Sequence, residues 1–449
     1  MRRVARLDPP VLLVLSFAAL ILVGTGLLSL PVAWGAGRRI GVLDALFTAT
    51  SAVCVTGLIT VDTARAWSPF GQGVILLLIQ LGGLGILTFS TFFLLLFGRS
   101  VTFTQHSVLA RSHGRVVHLH TRSLVVRIVT YALAIEAVGA VLLSFAFARE
   151  GGLASGVWRG VFHAVSAFCN AGFSLFSTSL EGYAASWIVN LTVIGLIMLG
   201  GLGFVVITDL ESKARQPGRR LSLHSKVVLS ATGLLIAGAA LSFFFFEHQN
   251  ILRGRPWDEA LLVSLFQSVT PRTAGFNTVP YDRLTNSALM MTIILMFIGG
   301  SPGSTAGGIK TSTAAILLGI VISRARGMRH ATLFRRTVPE RVVGEAVAIV
   351  LLSVALVMGM TFVLQWTELH DLAHPGVRGD FLSLNFEAVS AFGTVGLSMG
   401  ETPGLRASSK LVIIVLMFVG RLGPLTLAVA LGRRRRVEYQ YAEEEVLVG

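Results

Sequence analysis

The chain is 449 residues long, 53 % hydrophobic and only 13 % charged, with a formal charge of +14. A soluble protein of this size carries roughly a quarter charged residues, so a soluble globular domain is excluded. A basic balance would suggest nucleic acid in a soluble protein, but the placement of the cations points to a membrane.

Seven apolar blocks are close to the ~20 residues that cross a bilayer as a helix: Pro10–Val32, Val74–Phe97, Leu124–Phe147, Ile188–Ile207, Val227–Phe246, Val343–Leu364 and Leu411–Leu431. An eighth, Met290–Ile322, is interrupted at Gly299–Thr311. The first run, after Met1-Arg2-Arg3, outlasts the ~7–15-residue core of a signal peptide, and no small-residue cleavage site follows it. It is read as a spanning helix, giving eight spans. Most of the 37 Lys and Arg fall on one side: Arg2, Arg3 and Arg6, the connections 99–127, 209–226 and 323–341, and Arg433 to Arg436. Positive loops stay in the cytoplasm. Both termini are therefore expected there, with the chain multi-pass in the plasma (inner) membrane. Cys54 and Cys169 lie far apart in apolar stretches, and no disulfide framework is implied.

Four segments resemble one another: Phe47–Ile59, Phe162–Ser174, Leu265–Asn277 and Phe386–Ser398. Aligned without gaps, they place Gly57, Gly172, Gly275 and Gly396 at one position. Each lies between two spanning blocks, after a stretch too short to cross, which suggests a re-entrant element. Non-helical backbone at membrane depth is tolerated only where protein buries it or it lines a water-filled cavity. The predicted fold is an all-α integral membrane protein. Its eight transmembrane helices form four repeats of outer helix, pore helix and inner helix around a central pore, with pseudo-fourfold symmetry. The repeats are residues 1–98, 99–209, 210–324 (with an intramembrane gating loop) and 325–432, and a cytoplasmic tail follows at 433–449.

A cation entering such a pore must exchange water for other oxygens, and backbone carbonyls supply these without a full charge. Glycine reaches positive φ at little cost, which suits a strand that aims its carbonyls inward. The candidate filter strands are Val55-Thr56-Gly57, Asn170-Ala171-Gly172, Thr273-Ala274-Gly275 and Thr394-Val395-Gly396. They hold no carboxylate ring, which disfavours a divalent-selective filter. The alternative is a set of plain re-entrant turns.

The inner helices repeat as well, at Gly82-Gly83-Leu84-Gly85, Gly200-Gly201-Leu202-Gly203, Gly299-Gly300-Ser301-Pro302-Gly303 and Gly420-Arg421-Leu422-Gly423. Close helix packing explains small residues of this kind. The third repeat goes further: the run Gly299, Gly300, Ser301, Pro302, Gly303, Ser304, Thr305, Ala306, Gly307, Gly308 cannot be an ordinary helix interior. It reads as a loop across the pore beneath the filter, against the alternative of a kink or packing notch. Arg421 stands mid-span, where a charge costs at least ~2.5–3.5 kcal/mol and usually marks function. Its bland role would be to pair with a buried carboxylate or with carbonyls.

On these residues the chain resembles the membrane subunit of the Ktr/Trk bacterial potassium uptake systems, in the superfamily that includes the plant HKT transporters. The most specific stretches are Gln267–Thr278 and Gly299–Ser312. Eight spans, with no additional N-terminal pair, resemble Ktr more than Trk. The resemblance implies the four-repeat pore and potassium held at the filter carbonyls alone. It favours potassium over sodium because Gly57 stands where sodium-selective plant members carry serine. It makes the loop a gate and Arg421 its electrostatic partner. It also implies a homodimer on a ring of cytosolic nucleotide-binding regulatory subunits. The apolar end Val446–Gly449 is a candidate dimer contact.

Lys310 is expected either to bond loop carbonyls or to reach the cytoplasm, the second being favoured, and Arg272 to brace the third strand from behind. Glu136 and Glu387 are candidate partners of the buried arginines. His106, His113, His118 and His120 lie in a basic loop and are read as solvated rather than metal-binding. No nucleotide motif, zinc-protease motif or paired carboxylate is present, so neither an enzyme nor a resident cofactor is expected, and neither is a nucleic-acid partner. The basic loops suit a regulatory chain or anionic lipids. The competing readings are a sodium or poorly selective carrier of the same superfamily, and an alternating-access transporter coupled to a cation.

Overall fold

The computed structural model describes residues 9–96, 121–369 and 379–431. Its helices are α1 (Pro9–Leu28), α2 (Val42–Val53), α3 (Pro69–Leu96), α4 (Thr121–Phe168), α5 (Trp187–Leu202), α6 (Phe204–Arg215) and α7 (Leu223–Glu247). They continue with α8 (Trp257–Val269), α9 (Asn286–Phe297), α10 (Thr311–Ala325), α11 (Glu340–Leu369), α12 (Asp380–Gly393), α13 (Ala407–Leu422) and α14 (Pro424–Leu431). A hairpin of two short strands, Thr332–Leu333 and Arg336–Thr337, departs from the all-helical expectation. Phe334 and Arg335 turn it with positive φ, which suits a two-residue turn between strands.

Local chemistry sets the helix starts. Ser186, Ser222 and Thr285 each accept an amide of the first turn, from Val189, Ser225 and Ala288. Asp258 and Glu259 lie in the first turn of α8, where the helix dipole favours negative charge. Pro424 opens α14, a position where its missing N–H is not needed.

Among the described residues, four helical spans are long and apolar enough to cross a bilayer: Pro10–Leu28, Val126–Arg149, Leu223–Glu247 and Glu340–Leu369. Only 22–28 % of their most apolar windows is buried within the protein, so most of that surface is left for lipid. They match the first block of each expected repeat. The second blocks are less regular. Trp187–Leu202 and Phe204–Arg215 form one bent pair with an angle of 100°, and counting it as a span gives five. The block Met290–Ile322 is two helices, α9 and α10, joined by residues 298–310. The last block breaks between α13 and α14 at Gly423. Among the described residues, the inner segments of the second, third and fourth expected repeats are thus broken rather than single straight helices, at glycines that leave helical φ.

Gly203 and Gly423 have φ of 82° and 85°. Gly85 holds the same place in the first repeat, yet α3 runs through it. Gly152 (φ 77°, ψ 168°) divides α4 into a long arm and a half-length arm. With α2, α8 and α12, that second arm makes four half-length helices buried in the protein. Phe47, Phe162, Phe266 and Phe386 are fully buried along them. The inner helices pack close to the ends of these half-helices. A methyl added at Gly82 or Gly420 would lie 2.8 Å from the Val53 carbonyl carbon or 2.7 Å from that of Phe392. This close approach accounts for the first glycine of those inner motifs.

Candidate functional site

The chain reverses after each half-length helix at one aligned residue. Val55, Asn170, Thr273 and Thr394 have φ of 56°, 60°, 73° and 50°. Three of these are β-branched, for which positive φ is an outlier. Such strain costs about 1–3 kcal/mol per residue and persists only where the surroundings impose it. Two residues on, Gly57, Gly172, Gly275 and Gly396 have φ of 95°, 69°, 80° and 92°.

Hydrogen bonds hold the strands against their own helices. The amides of Thr56, Ala171 and Val395 donate to the carbonyls of Ser51, Ser166 and Ser390 at 2.8, 2.7 and 2.9 Å. Gly57 N and Gly396 N donate to the hydroxyls of Ser51 and Ser390 at 3.0 and 3.1 Å. With the amides turned back to the helix, the strand carbonyls face the neighbouring strand.

The four strands close a ring. A methyl added at Gly57 would lie 3.0 Å from Gly172 Cα, and one at Gly172 would lie 2.9 Å from Gly275 Cα. One at Gly275 would lie 3.3 Å from Gly396 Cα, and one at Gly396 would lie 3.0 Å from Gly57 Cα. In each case the nearest obstacle is a carbonyl oxygen of the next strand: Ala171, Ala274, Val395 and Thr56 in turn. Lys410 on α13 also meets Asp44 on α2 at 3.0 Å, linking the last repeat to the first. Thr56 Oγ1, Asn170 Oδ1, Thr273 Oγ1 and Thr394 Oγ1 are buried without a hydrogen-bond partner in the protein. The ring region is therefore rich in oxygens with spare acceptor capacity, the chemistry that replaces a cation's water.

The glycine-rich segment 298–310 lies against this ring. Its ends are pinned by Gly299 N to Ile309 O at 2.8 Å and Thr311 N to Gly300 O at 2.9 Å. A methyl on Gly299 would lie 3.3 Å from Thr273 Cγ2, and one on Gly307 would lie 3.1 Å from Thr394 Cβ. Thr305 is the most heavily tied residue of the segment. Its hydroxyl accepts Asn170 Nδ2 at 2.7 Å and donates to Phe168 O at 3.1 Å. Its amide donates to Gly200 O at 3.2 Å.

Arg421, Lys310 and Arg272 meet carbonyls and hydroxyls rather than acids among the described residues. Arg421, 4 % exposed, donates to Thr305 O and, at 2.9 Å, to Gly82 O. Lys310 Nζ donates to Ala306 O at 2.6 Å, which corrects the expectation that it reaches the cytoplasm: its short way back to a loop carbonyl satisfies the ammonium. Arg272 donates to the hydroxyls of Thr232 at 3.3 Å and Thr311 at 3.1 Å, away from the ring. Among the described residues no carboxylate pairs with Arg272 or Arg421.

Glu136 and Glu387 have other partners, which corrects the suggested pairing. Glu136 accepts Gln80 Nε2 at 3.1 and 3.0 Å through its two oxygens. Glu387 accepts Ser398 Oγ at 2.6 Å, Met399 N at 3.0 Å and Thr402 Oγ1 at 2.5 Å, and so fastens the segment that follows Gly396. His163, at the position aligned with Glu387, reaches Ser174 Oγ at 2.9 Å in the same way. This brace of helix to post-glycine serine escaped the sequence reading, although the shared spacing of His163–Ser174 and Glu387–Ser398 carries it.

Cys54 and Cys169 are free and buried. Among the described residues no cluster of His, Cys, Asp and Glu could hold a metal ion. The loop histidines His106, His113, His118 and His120, the N-terminal arginines and the tail 433–449 with its apolar end lie outside the described residues.

Comparison with known proteins shows what the chain is similar to. The family model described as "TrkH: Cation transport protein" matches residues 11–435. The "Potassium/sodium uptake protein NtpJ" of Enterococcus hirae is 40 % identical, over 99 % of this chain and 98 % of that one. The "Ktr system potassium uptake protein B" of Bacillus subtilis is 37 % identical, over 99 % and 97 % of the two chains. The crystal structure of the potassium transporter TrkH from Vibrio parahaemolyticus superposes with a TM-score of 0.74, covering 95 % of this chain and 85 % of that one at 21 % identity. At that identity the superposition speaks for the fold alone.

Proposed function

The chain belongs to the TrkH family of cation transport proteins rather than to a family of enzymes, and from that premise we propose that it carries potassium into the cell through a single pore. The observation that carries this reading is the closed ring of Gly57, Gly172, Gly275 and Gly396, each against the carbonyl of the next strand. In this reading the strands Val55–Gly57, Asn170–Gly172, Thr273–Gly275 and Thr394–Gly396 are the selectivity filter. Their carbonyls take the place of water around the ion. Potassium is cargo, and no resident cofactor is required.

The gate is the segment containing Gly299, Gly300, Ser301, Gly303, Ser304, Gly307 and Gly308, held under the ring with the help of Arg421. A guanidinium there opposes a passing cation by charge, and its bond to Thr305 O ties that charge to the obstruction. Moving the loop thus removes both barriers together. The fold is read as eight segments in four repeats with pseudo-fourfold symmetry, multi-pass in the plasma membrane with both termini cytoplasmic. The repeats are assigned to 1–98, 99–209, 210–324 and 325–432, with a tail at 433–449. A closed pore needs an opener, and two relatives named as parts of a Ktr system support a multi-component assembly. The opener is taken to be a ring of cytosolic nucleotide-binding subunits under a homodimer of this chain, in contact with membrane lipids.

One relative's name couples potassium with sodium, which favours a sodium-permeant pore as the second reading. Tracer uptake into liposomes holding this chain alone, with the two ions in competition, separates them. Potassium uptake that resists excess sodium supports the first reading, and equal passage supports the second. The gate is tested by Arg421→Ala in the same liposomes: flux no higher than that of the unaltered chain overturns the gating role.

A further inference from the structure

The bend between α5 and α6 does more than shorten a span. Helix α5 ends at Leu202, and the end of a helix leaves its last carbonyls without intrahelical partners. Gly203, with φ 82° and ψ 150°, sets the break. Two of the freed carbonyls are engaged by the glycine-rich loop of the next repeat. Gly200 O accepts Thr305 N at 3.2 Å, and Gly201 O accepts Ser301 N at 3.0 Å. On the far side of the break, Phe204 N, an unpaired first-turn donor of α6, donates to Gly303 O at 3.2 Å. A straight α5–α6 helix would turn the Gly200 and Gly201 carbonyls to the amides of Phe204 and Val205 and so remove two acceptors and one donor from the loop.

We propose that this elbow is the latch of the loop, and that α6 is the lever that releases it. The proposal rests on the reading of the loop as the gate. Helix α6 leaves the α5 axis by 100° and carries Asp209, Glu211, Lys213 and Arg215. Its outer end is fastened to α4 by Tyr131 Oη to Glu211 Oε2 at 2.7 Å, with Arg127 3.9 Å from the same carboxylate. Beside the latch, the Tyr131 and Phe204 rings stand 6.1 Å apart. A partner that pulls α6 toward the axis of α5 would withdraw Phe204 N from Gly303 O and return the Gly200 and Gly201 carbonyls to their own helix. The loop would lose three backbone bonds in one movement, while Arg421 and Asn170 still hold Thr305.

Phe204 is the first residue of α6, where proline is tolerated because its absent N–H has no helical partner. In the bent form Phe204→Pro loses one latch bond, but in a straight α5–α6 helix it would also lose the bond to Gly200 O and clash with that carbonyl, so it holds the elbow bent. Phe204→Ala loses the same ring but keeps the amide. Arg421→Ala supplies the open background. Tracer flux of F204P/R421A in partner-free liposomes is expected to fall roughly 10-fold or more below that of F204A/R421A. Equal flux in the two double variants, with R421A above the unaltered chain, overturns the latch and keeps the gate, whereas R421A no higher than the unaltered chain overturns the gate reading itself. Hydrogen exchange of the unaltered chain guards against misfolding of F204P. The amides of Ser301 and Thr305 are expected to lose protection together on opening, while that of Phe204 passes to Gly200 O and stays protected; exchange of Ser301 and Thr305 in separate openings overturns the latch.

Discussion

Replacing each ring glycine by alanine should damage transport to unequal degrees, in an order set by geometry. All four residues have φ between 69° and 95°, where an L side chain costs about 1–2 kcal/mol, so this part of the penalty is shared. The space available is not shared. At Gly172 the added methyl would stand 2.9 Å from both the Ala274 carbonyl oxygen and Gly275 Cα, a backbone clash but the mildest of the four. At Gly57, Gly275 and Gly396 it would meet the facing carbonyl much closer, with Gly396 against Thr56 O the tightest. That oxygen must turn away, and it is one of those assigned to the ion. Gly172→Ala should therefore retain part of the potassium uptake, and Gly396→Ala should abolish it. Tracer uptake in liposomes, with matched amounts of monodisperse protein, measures the series. Equal loss at Gly172 and Gly396, or the reverse order, would refute the claim that inward carbonyls carry the ion.

Thr305→Val keeps the shape of the side chain and deletes the bonds to Asn170 Nδ2 and Phe168 O. Two such bonds are worth about 1–3 kcal/mol together, so partner-free flux should rise roughly 5–100-fold. Glu387→Ala leaves Ser398, Met399 and Thr402 without their acceptor; a loss of about 3 kcal/mol or more should appear as a clear fall in the thermal midpoint in detergent, with E387Q in between. Lys410→Ala should change stability by less than ~1 kcal/mol despite its 3.0 Å bond to Asp44, because partly exposed pairs are weak. A fall of several degrees in the same thermal assay would contradict this.

The aligned glycines and the broken third inner segment were legible in the sequence because each violates a local rule. Four glycines after short apolar stretches make poor helix, and a ten-residue run with five glycines makes none. The breaks at Gly203 and Gly423 were not legible. Gly200-Gly201-Leu202-Gly203 reads like Gly82-Gly83-Leu84-Gly85, yet α3 stays helical through Gly85. What differs is tertiary: the loop amides of Ser301 and Thr305 reward the second repeat for ending its helix. Lys310 and Glu387 failed for a related reason. Each finds its partner within about a dozen residues, at Ala306 and at Ser398, Met399 and Thr402, through turns that no periodicity describes. Pairing a buried charge with the nearest opposite charge was a poor guide where backbone carbonyls and hydroxyls stood closer.

The ring is closed by one continuous polypeptide, and this changes how it can vary. In an assembly of four identical chains any substitution is made four times over, and every quadrant must tolerate it at once. Here Val55, Asn170, Thr273 and Thr394 share one backbone conformation but not one side chain. The glycine-rich loop belongs to one quadrant, and the arginine that meets it belongs to another. A single codon change alters one quarter of the ring. On the proposed reading of ring and loop, ion preference and closure can therefore drift in separate steps, each small enough to leave the other three quarters working.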